Sequence, residues 1–275
     1  MTKRSPATSF TGRHVIITGG SSGIGLATAM LLASRGADVS LIARTASRLD
    51  GASASIRAAH PAVTVRTVSV DVADKDAVQR AIAELTASAP CDVLITAAGL
   101  AHPGHFVDLP DDLFRETMDV DYFGTLWPIR AVVPSMIERG TGSIVGVSSA
   151  AALVGIFGYT AYAPAKFAVR GLLEALRGEL KPHGVHVGCV YPPDVDTPQL
   201  AYENQYKPAE TRAISGSIKP LTADAVAATI VEGIERHRFA IIPDAQTKLL
   251  ARTIGLAPGV FTTVFDRSVR RAQRH

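Results

Sequence analysis

The sequence predicts a doubly wound α/β fold, a three-layer α/β/α sandwich built on a parallel sheet of about seven strands. Short β-branched runs that are apolar on both faces alternate with helical segments, as in a parallel sheet covered on both sides. A glycine cluster follows the first run, and neither a repeat nor a linker marks a second domain. The 275 residues therefore predict one large domain.

Strands and helices are expected to alternate from residue 14 onward. The predicted strands cover residues 14–18, 39–43, 63–70, 92–96, 143–148, 185–190 and 239–242. The predicted helices cover residues 23–35, 46–59, 75–87, about 112–138, about 159–181 and 222–236. Gly36 suits a helix C-terminus and Asp74 suits a helix N-cap, which supports two of these boundaries.

The remaining segments are expected to lie outside the regular sandwich. Residues 1–10 are polar, which predicts a flexible tail and neither a signal peptide nor a membrane anchor. Residues 192–220 are predicted to be irregular, and a connection of this length is typical of an active-site lid, placed at about 193–220. The principal domain is expected to cover residues 11–247.

Composition excludes several classes of protein. The net charge of +3 is too small for a nucleic-acid surface, and no basic stretch is interleaved with aromatic residues. The two cysteines, Cys91 and Cys189, lie in apolar runs, which is typical of buried, reduced thiols in a cytoplasmic protein. The eight histidines are scattered, so no metal site is expected.

The turn after the first strand carries glycines in the order G-x-x-x-G-x-G. Glycines allow a backbone to turn tightly and approach a pyrophosphate, whose charge is met by the helix N-terminus that follows. The alternative is a purely structural glycine turn. The residues expected to contact a dinucleotide here are Gly19, Ser21, Ser22, Gly23, Ile24 and Gly25.

The end of the second predicted strand should lie at the adenosine ribose. An acidic residue there would bind a free 2′-hydroxyl, but the sequence has Arg44, whose planar cation suits a 2′-phosphate. We therefore expect NADP(H) to be preferred over NAD(H). The alternative is that Arg44 is a solvated residue at the start of the next helix.

Ser149, Tyr162 and Lys166 are the candidate catalytic residues. Tyr162 and Lys166 are four residues apart and share one helix face, and the ammonium is expected to lower the tyrosine pKa from about 10. Tyr162 would then donate a proton to a carbonyl oxygen as hydride reaches the carbon, while Ser149 orients that oxygen. Tyr159 is an alternative candidate for the catalytic tyrosine, but the residue four positions later is Ala163 and not a lysine.

These motifs, taken in order, resemble the short-chain dehydrogenase/reductase family over residues 11–245. The turn Ala97-Ala98-Gly99 and the stretch 191–198 extend the resemblance. It implies a Rossmann-type catalytic domain and a homodimer or homotetramer. It also implies that Lys166 holds the nicotinamide ribose. Further cofactor contacts are implied for Asp71 and Val72 at the adenine, Thr197 at the carboxamide, and Ala97, Ala98, Gly99, Pro192 and Val195.

Within that family, two segments look like those of 3-ketodihydrosphingosine reductases. They are residues 158–171 and the run Pro-Pro-Asp-Val-Asp-Thr-Pro at 192–198, followed by matches at 203–204 and 207–212. The implied substrate is a long-chain 3-oxo amine lipid. Other hydrophobic ketones, such as a steroid or a 3-oxoacyl thioester, stay open, and so does a cofactor-binding protein with weak catalysis. The lid charges Glu203, Lys207, Glu210 and Arg212 are either solvated or include an acid that contacts a substrate amine.

Two positions depart from the family pattern. The usual Asn-Ala-Gly turn begins here at Thr96 and reads Thr-Ala-Ala-Gly, and Asp121 replaces the helix asparagine often counted as a fourth catalytic residue. An ionised aspartate only accepts hydrogen bonds, whereas asparagine also donates them. The change is tolerated if the proton relay uses the main-chain carbonyl of that residue, and it slows turnover if the relay uses the side-chain amide.

Residues 248–275 form a predicted amphipathic, basic C-terminal segment. Apolar residues alternate with polar ones up to Phe265, and Arg267, Arg270, Arg271 and Arg274 follow. Such a segment either lies peripherally on an anionic membrane surface or packs on its own domain or on another subunit.

Overall fold

A sheet of seven parallel strands lies at the centre of the chain, which the computed structural model describes at residues 10–215, 219–256 and 258–273. Its strands are β1 (His14–Thr18), β2 (Asp38–Ala43), β3 (Val65–Ser69), β4 (Val93–Thr96), β5 (Gly142–Val147), β6 (Val185–Val190) and β9 (Ala240–Ile241). They follow the order β3-β2-β1-β4-β5-β6-β9. β7 (Val195–Asp196) and β8 (Leu221–Thr222) form a separate parallel pair. The predicted doubly wound sheet is confirmed.

Helices cover both faces of this sheet because side chains of its strands alternate between two buried clusters. Val15 and Ile17 of β1 belong to one cluster, and Ile16 of the same strand belongs to the other. The helices are α1 (Gly23–Ala33), α2 (Ala46–Ala59), α3 (Lys75–Thr86), α4 (Asp111–Thr117), α5 (Gly124–Arg139), α6 (Tyr162–Leu180), α7 (Pro198–Tyr206), α8 (Ala209–Ser215), α9 (Ala223–Glu235), α10 (Ala245–Thr253) and α11 (Pro258–Ala272).

Strand order reverses at β1, which pairs with β2 on one side and with β4 on the other. In open parallel sheets, a crevice forms at the carboxyl ends of the strands where the order reverses. The glycine turn after β1 and the residues after β4 therefore meet at this edge.

One long predicted helix and the first residues of two other predicted elements differ from the structure. The helix expected at about 112–138 is divided into α4, a π-helical turn at Met118–Phe123, and α5. The amide of Gly124 donates to the carbonyl of Asp119, five residues back, so one extra residue enters the helix. The helix expected from about residue 159 begins at Tyr162, and the strand expected from residue 63 begins at Val65.

The segment expected to be irregular contains regular structure. α7 and α8 occupy most of residues 198–215. The strands β7 and β8 flank these helices in the chain and pair with each other, which brings the two ends of the segment together. Thr197 starts α7, since its side-chain oxygen accepts a hydrogen bond from the amide of Leu200 at 3.3 Å. No apolar periodicity in the sequence marks these two short helices. Both contribute residues to the cavity wall, and α8 also packs against α11.

Both ends of the chain lie partly outside the described residues. Of the tail predicted at 1–10, only Phe10 is described, and its side chain is buried against the core while its amide donates to the carbonyl of Arg35. The C-terminal segment contains most of α10 and all of α11. Residues 257, 274 and 275 of this segment lie outside the described part of the chain. The predicted contribution of Arg274 therefore lies outside the described residues.

Candidate active site

A cavity of about 1120 Å³ lies at the carboxyl ends of the central strands. Residues that follow β1, β2, β4, β5 and β6 line it, and α7, α8 and α10 close its far side. Such a volume exceeds that of most small-molecule sites and accommodates a dinucleotide together with a second molecule.

The glycine turn after β1 brings the main chain to the wall of this cavity. Gly19 has a φ of +68°, and a Cβ at this position would lie 2.6 Å from the carbonyl oxygen of Ala97. Gly23 opens α1 with a φ of +54°, and a Cβ there would lie 3.1 Å from Thr197. Only glycine fits both positions, so the free amides at the start of α1 are open to an anionic group. This arrangement fits the pyrophosphate of a dinucleotide.

Most residues predicted to contact the cofactor line the cavity. They are Gly19, Ser21, Ser22, Gly23, Ile24, Arg44, Val72, Ala97, Ala98, Gly99, Tyr162, Lys166, Pro192, Val195 and Thr197.

Gly25 and Asp71 do not belong to that wall. Gly25 packs against the main chain of Gly19, and the carboxylate of Asp71 accepts a hydrogen bond from the amide of Ala73 at 3.0 Å. Both residues shape the loops that carry wall residues, and their contacts with a cofactor stay predictions.

Two arginines mark the end of the cavity that lies beyond β2. Arg44 follows the strand directly, and Arg48 lies four residues later in the first turns of α2. Both side chains are exposed, and both line the cavity. Sequence reasoning identified Arg44 and missed Arg48, although the spacing of four residues was a usable signal. Two cations at this end fit a 2′-phosphate on the adenosine ribose.

Ser149, Tyr162 and Lys166 converge at the other end of the cavity. The Ser149 hydroxyl hydrogen-bonds the Tyr162 hydroxyl, and the Lys166 ammonium lies 5.4 Å from the centre of the Tyr162 ring. The ammonium also donates to the carbonyl of Val147 at 3.3 Å. The Ser148 hydroxyl donates to the carbonyl of Lys166 at 2.9 Å, which ties the first turns of α6 to the end of β5.

Asp121 lies behind the cavity wall and is fully buried. One carboxylate oxygen accepts from the amide of Leu100 at 2.8 Å and lies 3.7 Å from the ammonium of Lys166. The other oxygen has no hydrogen-bond partner among the described residues. Burial raises the pKa of this carboxyl to about 6, although Lys166 and the Leu100 amide act in the opposite direction. The π-helical turn places Asp121 at this depth, directly under Gly99.

The pKa of Tyr162 differs in direction from the sequence-based expectation. Burial raises it well above its usual value, and the carboxylates of Asp121 and Glu203 raise it further, while the Ser149 hydrogen bond lowers it. The expected lowering by Lys166 is not the net result, because burial of the hydroxyl has the larger effect and the charge of Asp121 adds to it. A raised pKa keeps the hydroxyl protonated at neutral pH, which suits a group that donates a proton.

The lid places a second polar cluster in the cavity next to Tyr162. The hydroxyl of Tyr159 donates to the carboxylate of Glu203 at 2.7 Å, and the amide of Gln199 donates to its other oxygen at 3.0 Å. Lys207 and Asp194 form an ion pair of 2.8 Å in which the lysine is buried. Tyr159 therefore holds the lid through its hydrogen bond to Glu203. The two tyrosines differ in their neighbours, because Tyr159 bonds a carboxylate and Tyr162 lies near the ammonium of Lys166.

Apolar side chains form the remaining wall on the lid side of the cavity. They come from the loop after β5, from α7 and α8, and from α10, and they are Val154, Ile156, Leu200, Ile214, Leu249 and Leu250. The contribution of α10 to this wall is not predicted, because the sequence pattern assigns residues 248–275 to a separate C-terminal segment.

The chain is similar to known enzymes over most of its length. The family described as short chain dehydrogenase matches residues 13–208. The 3-ketodihydrosphingosine reductase of Dictyostelium discoideum is 40% identical in an alignment of 269 positions that covers 91% of this chain and 80% of that protein. The 3-dehydrosphinganine reductase of Danio rerio is 41% identical in an alignment of 287 positions that covers 94% of this chain and 86% of that protein.

A solved structure shares the fold at lower identity. The crystal structure of levodione reductase superposes with a TM-score of 0.78 and 24% identity, covering 87% of this chain and 99% of that one. The matched residues 13–208 contain the glycine turn, the Ser149–Tyr162–Lys166 arrangement and the first part of the lid. The chain belongs to the short chain dehydrogenase family.

Proposed function

We propose that this protein is an NADPH-dependent reductase that converts a ketone into a secondary alcohol on a long-chain 3-oxo amine lipid such as 3-ketosphinganine. The observation that carries the reaction type is the convergence of Ser149, Tyr162 and Lys166 at one end of a cavity that fits a dinucleotide. The names of the two relatives at about 40% identity support the substrate.

The residues of the chain act on the proton and on the carbonyl oxygen. Bound NADPH supplies the hydride that reduces the carbonyl carbon. Ser149 donates a hydrogen bond to the substrate oxygen, and Tyr162 transfers its proton to that oxygen as negative charge develops there. Lys166, held by the Val147 carbonyl, stabilises the phenolate that remains after the transfer. A proton from solvent then restores the tyrosine.

The shape of the cavity supports a lipid substrate. An apolar wall from the lid and α10 leads away from Tyr162 and provides room for a hydrocarbon chain. Other hydrophobic ketones fit the same wall, so a steroid and a 3-oxoacyl thioester are the competing substrates. A cofactor-binding protein without turnover is the competing class, favoured by Asp121 alone.

The test measures NADPH oxidation at steady state with 3-ketosphinganine, a steroid ketone and a 3-oxoacyl thioester. The proposal expects the highest kcat/KM with 3-ketosphinganine. A higher kcat/KM with the steroid ketone or the 3-oxoacyl thioester would make that compound class the assigned substrate. Binding of NADPH without turnover of any ketone would overturn the proposal that the protein is an enzyme.

Replacing Arg44 with alanine is expected to weaken use of NADPH selectively. A charged hydrogen bond to the 2′-phosphate contributes about 1.5–3 kcal/mol, so KM for NADPH should rise by about 10- to 100-fold. NADH lacks that phosphate, and its KM should not change. Arg80→Ala, at an exposed position on α3, is the control. An equal rise in KM for NADPH and for NADH would show that Arg44 does not recognise the 2′-phosphate.

We also propose that the C-terminal segment contacts an anionic membrane surface peripherally. Leu249 is 64% exposed while lining the cavity, and Leu256 is 84% exposed. The arginines at 267, 270 and 271 are exposed along α11. No helix within the described residues has the length and apolar character needed to cross a bilayer.

Changing Arg267, Arg270 and Arg271 together to glutamine is expected to weaken binding to anionic vesicles by about 100-fold, since each basic residue near the surface contributes about 1 kcal/mol. Co-flotation with vesicles of anionic and of zwitterionic lipid measures this, and the zwitterionic vesicles are the control. Unchanged flotation of the triple variant on anionic vesicles would favour the alternative, in which the segment only packs on its own domain.

We propose a homodimer or homotetramer in the cytoplasm, with a catalytic domain at residues 11–247. Support for an extension of that domain comes from α10 in the cavity wall and from the hydrogen bond of Gln273 to Glu210 at 3.3 Å.

A further inference from the structure

Glu203 is a buried carboxylate in the cavity wall whose hydrogen-bond donors are both neutral. Its side chain extends from α7, the residue is 7% exposed, and it lines the cavity beside Tyr159. Tyr159 donates to one oxygen at 2.7 Å, and Gln199 donates to the other at 3.0 Å. Burial raises the pKa of this carboxyl above its usual range, which reflects the cost of holding a charge there.

No lysine, arginine or histidine of the described residues lies within 4.0 Å of this carboxylate. The two buried lysines nearby are paired with other acids, Lys166 with Asp121 at 3.7 Å and Lys207 with Asp194 at 2.8 Å. Of the three acids, only Glu203 has no ammonium within 4.0 Å, and Lys207, four positions later in the chain, acts on it only from a longer distance.

The carboxylate retains capacity for another donor. Its two oxygens offer about four acceptor directions, and Tyr159 and Gln199 use one each. A buried charge with only neutral partners is costly, and a cation in hydrogen-bonding distance offsets that cost. The geometry thus favours a ligand that brings a positive charge into the cavity.

The position of Glu203 matches one particular substrate geometry. The hydroxyl of Tyr159 donates to Glu203, and the centre of the Tyr159 ring lies 5.7 Å from the centre of the Tyr162 ring. The carboxylate is near enough to Tyr162 to act on its hydroxyl electrostatically. In a 2-amino-3-ketone, the ammonium is carried by the carbon next to the carbonyl carbon. A group that binds that ammonium must therefore lie beside the residue that protonates the carbonyl oxygen.

We infer that Glu203 binds the ammonium group of a 2-amino ketone substrate and thereby selects amino ketones over neutral ketones. This inference rests on the proposed ketone reduction at Tyr162. A neutral steroid or 3-oxoacyl substrate would cover Glu203 without supplying a cation, so the carboxylate would lose access to water without compensation. Recognition of the amine and rejection of neutral ketones then have the same physical cause.

The experiment compares two ketones of equal chain length, 3-ketosphinganine and the same ketone without its amino group, with wild type and Glu203→Gln. The substitution keeps the size of the side chain and an acceptor for Tyr159, but it removes the charge. For the amino ketone, kcat/KM should fall by about 10- to 100-fold, mainly through KM, because a charge-assisted hydrogen bond is lost. For the deaminated ketone it should stay unchanged or rise.

Glu210→Gln is the matched control, because Glu210 is another lid acid and bonds His105 outside the cavity wall. This variant should treat both ketones as wild type does. Calorimetric titration with sphinganine should show the same weakening by Glu203→Gln without any turnover. Equal loss with both ketones, or no loss with either, would overturn the inference and leave ketone reduction standing. If wild type reduces neither ketone, the proposed function fails, and the inference fails with it.

Discussion

Tyr162→Phe is expected to lower kcat for ketone reduction by about 10²- to 10⁴-fold, the range that a positioned acid contributes. Phenylalanine preserves the ring that packs at the start of α6 and removes only the hydroxyl that bonds Ser149. Affinity for NADPH, measured by fluorescence titration, should change little. Single-turnover reduction of 3-ketosphinganine measures the loss without interference from product release.

Tyr159→Phe is the matched control for this experiment. Both tyrosines lie in the cavity wall, with rings 5.7 Å apart, but the hydroxyl of Tyr159 is directed to Glu203. Its removal should raise KM and leave kcat within about tenfold, the effect of losing one hydrogen bond to a charged group. If Tyr159→Phe lost more of kcat than Tyr162→Phe, Tyr159 would be the acid and the assignment would be wrong.

Asp121→Asn is expected to stabilise the protein at pH 7. The pKa of Asp121 rises from 3.8 to about 6 on folding because the carboxyl is fully buried, so the ionised form is disfavoured in the native state. A rise of the pKa from 3.8 to about 6 corresponds to about 3 kcal/mol. Asparagine has nearly the same shape as the protonated acid and avoids that cost. Urea unfolding of both proteins measures the difference.

The pH dependence of this difference has a definite sign. Between about pH 4 and pH 6 the native state holds a proton that the unfolded chain has released, so rising pH removes stability from the wild type only. The advantage of Asp121→Asn should therefore be small near pH 4, grow through this window, and be constant above about pH 6.

Asp119→Asn provides the control, because Asp119 is exposed two residues earlier in the same π-helical turn. It makes the same change in charge without the burial, and it should alter stability at pH 7 much less than Asp121→Asn does. An Asp121→Asn variant that is less stable at pH 7, or whose difference does not vary with pH, would contradict the account of Asp121. The kcat of Asp121→Asn, measured alongside, tests whether the proton relay needs a side-chain amide at this position. A much higher kcat than that of the wild type would indicate that Asp121 slows turnover.

The sheet, the cofactor edge and the candidate triplet can all be predicted without coordinates. Strands buried on both faces, such as β1 and β4, are short continuous apolar runs bounded by turn residues. Glycines such as Gly19 and Gly23 stand where a side chain is sterically forbidden, so residue type reports backbone geometry directly. Tyr162 and Lys166 were paired by helix periodicity alone.

Only the tertiary structure decided the lid, the π-helical turn and the electrostatic balance around Tyr162. α7 and α8 were missed because their stability comes from contacts distant in sequence, such as Glu203 with Tyr159, and not from a local apolar period. The direction of the Tyr162 pKa depends on burial and on Asp121, 41 positions earlier in the chain. Local spacing records which residues share a helix face. The sum of charges around a buried hydroxyl depends on every segment that packs against it, and this information exists only once the chain has folded.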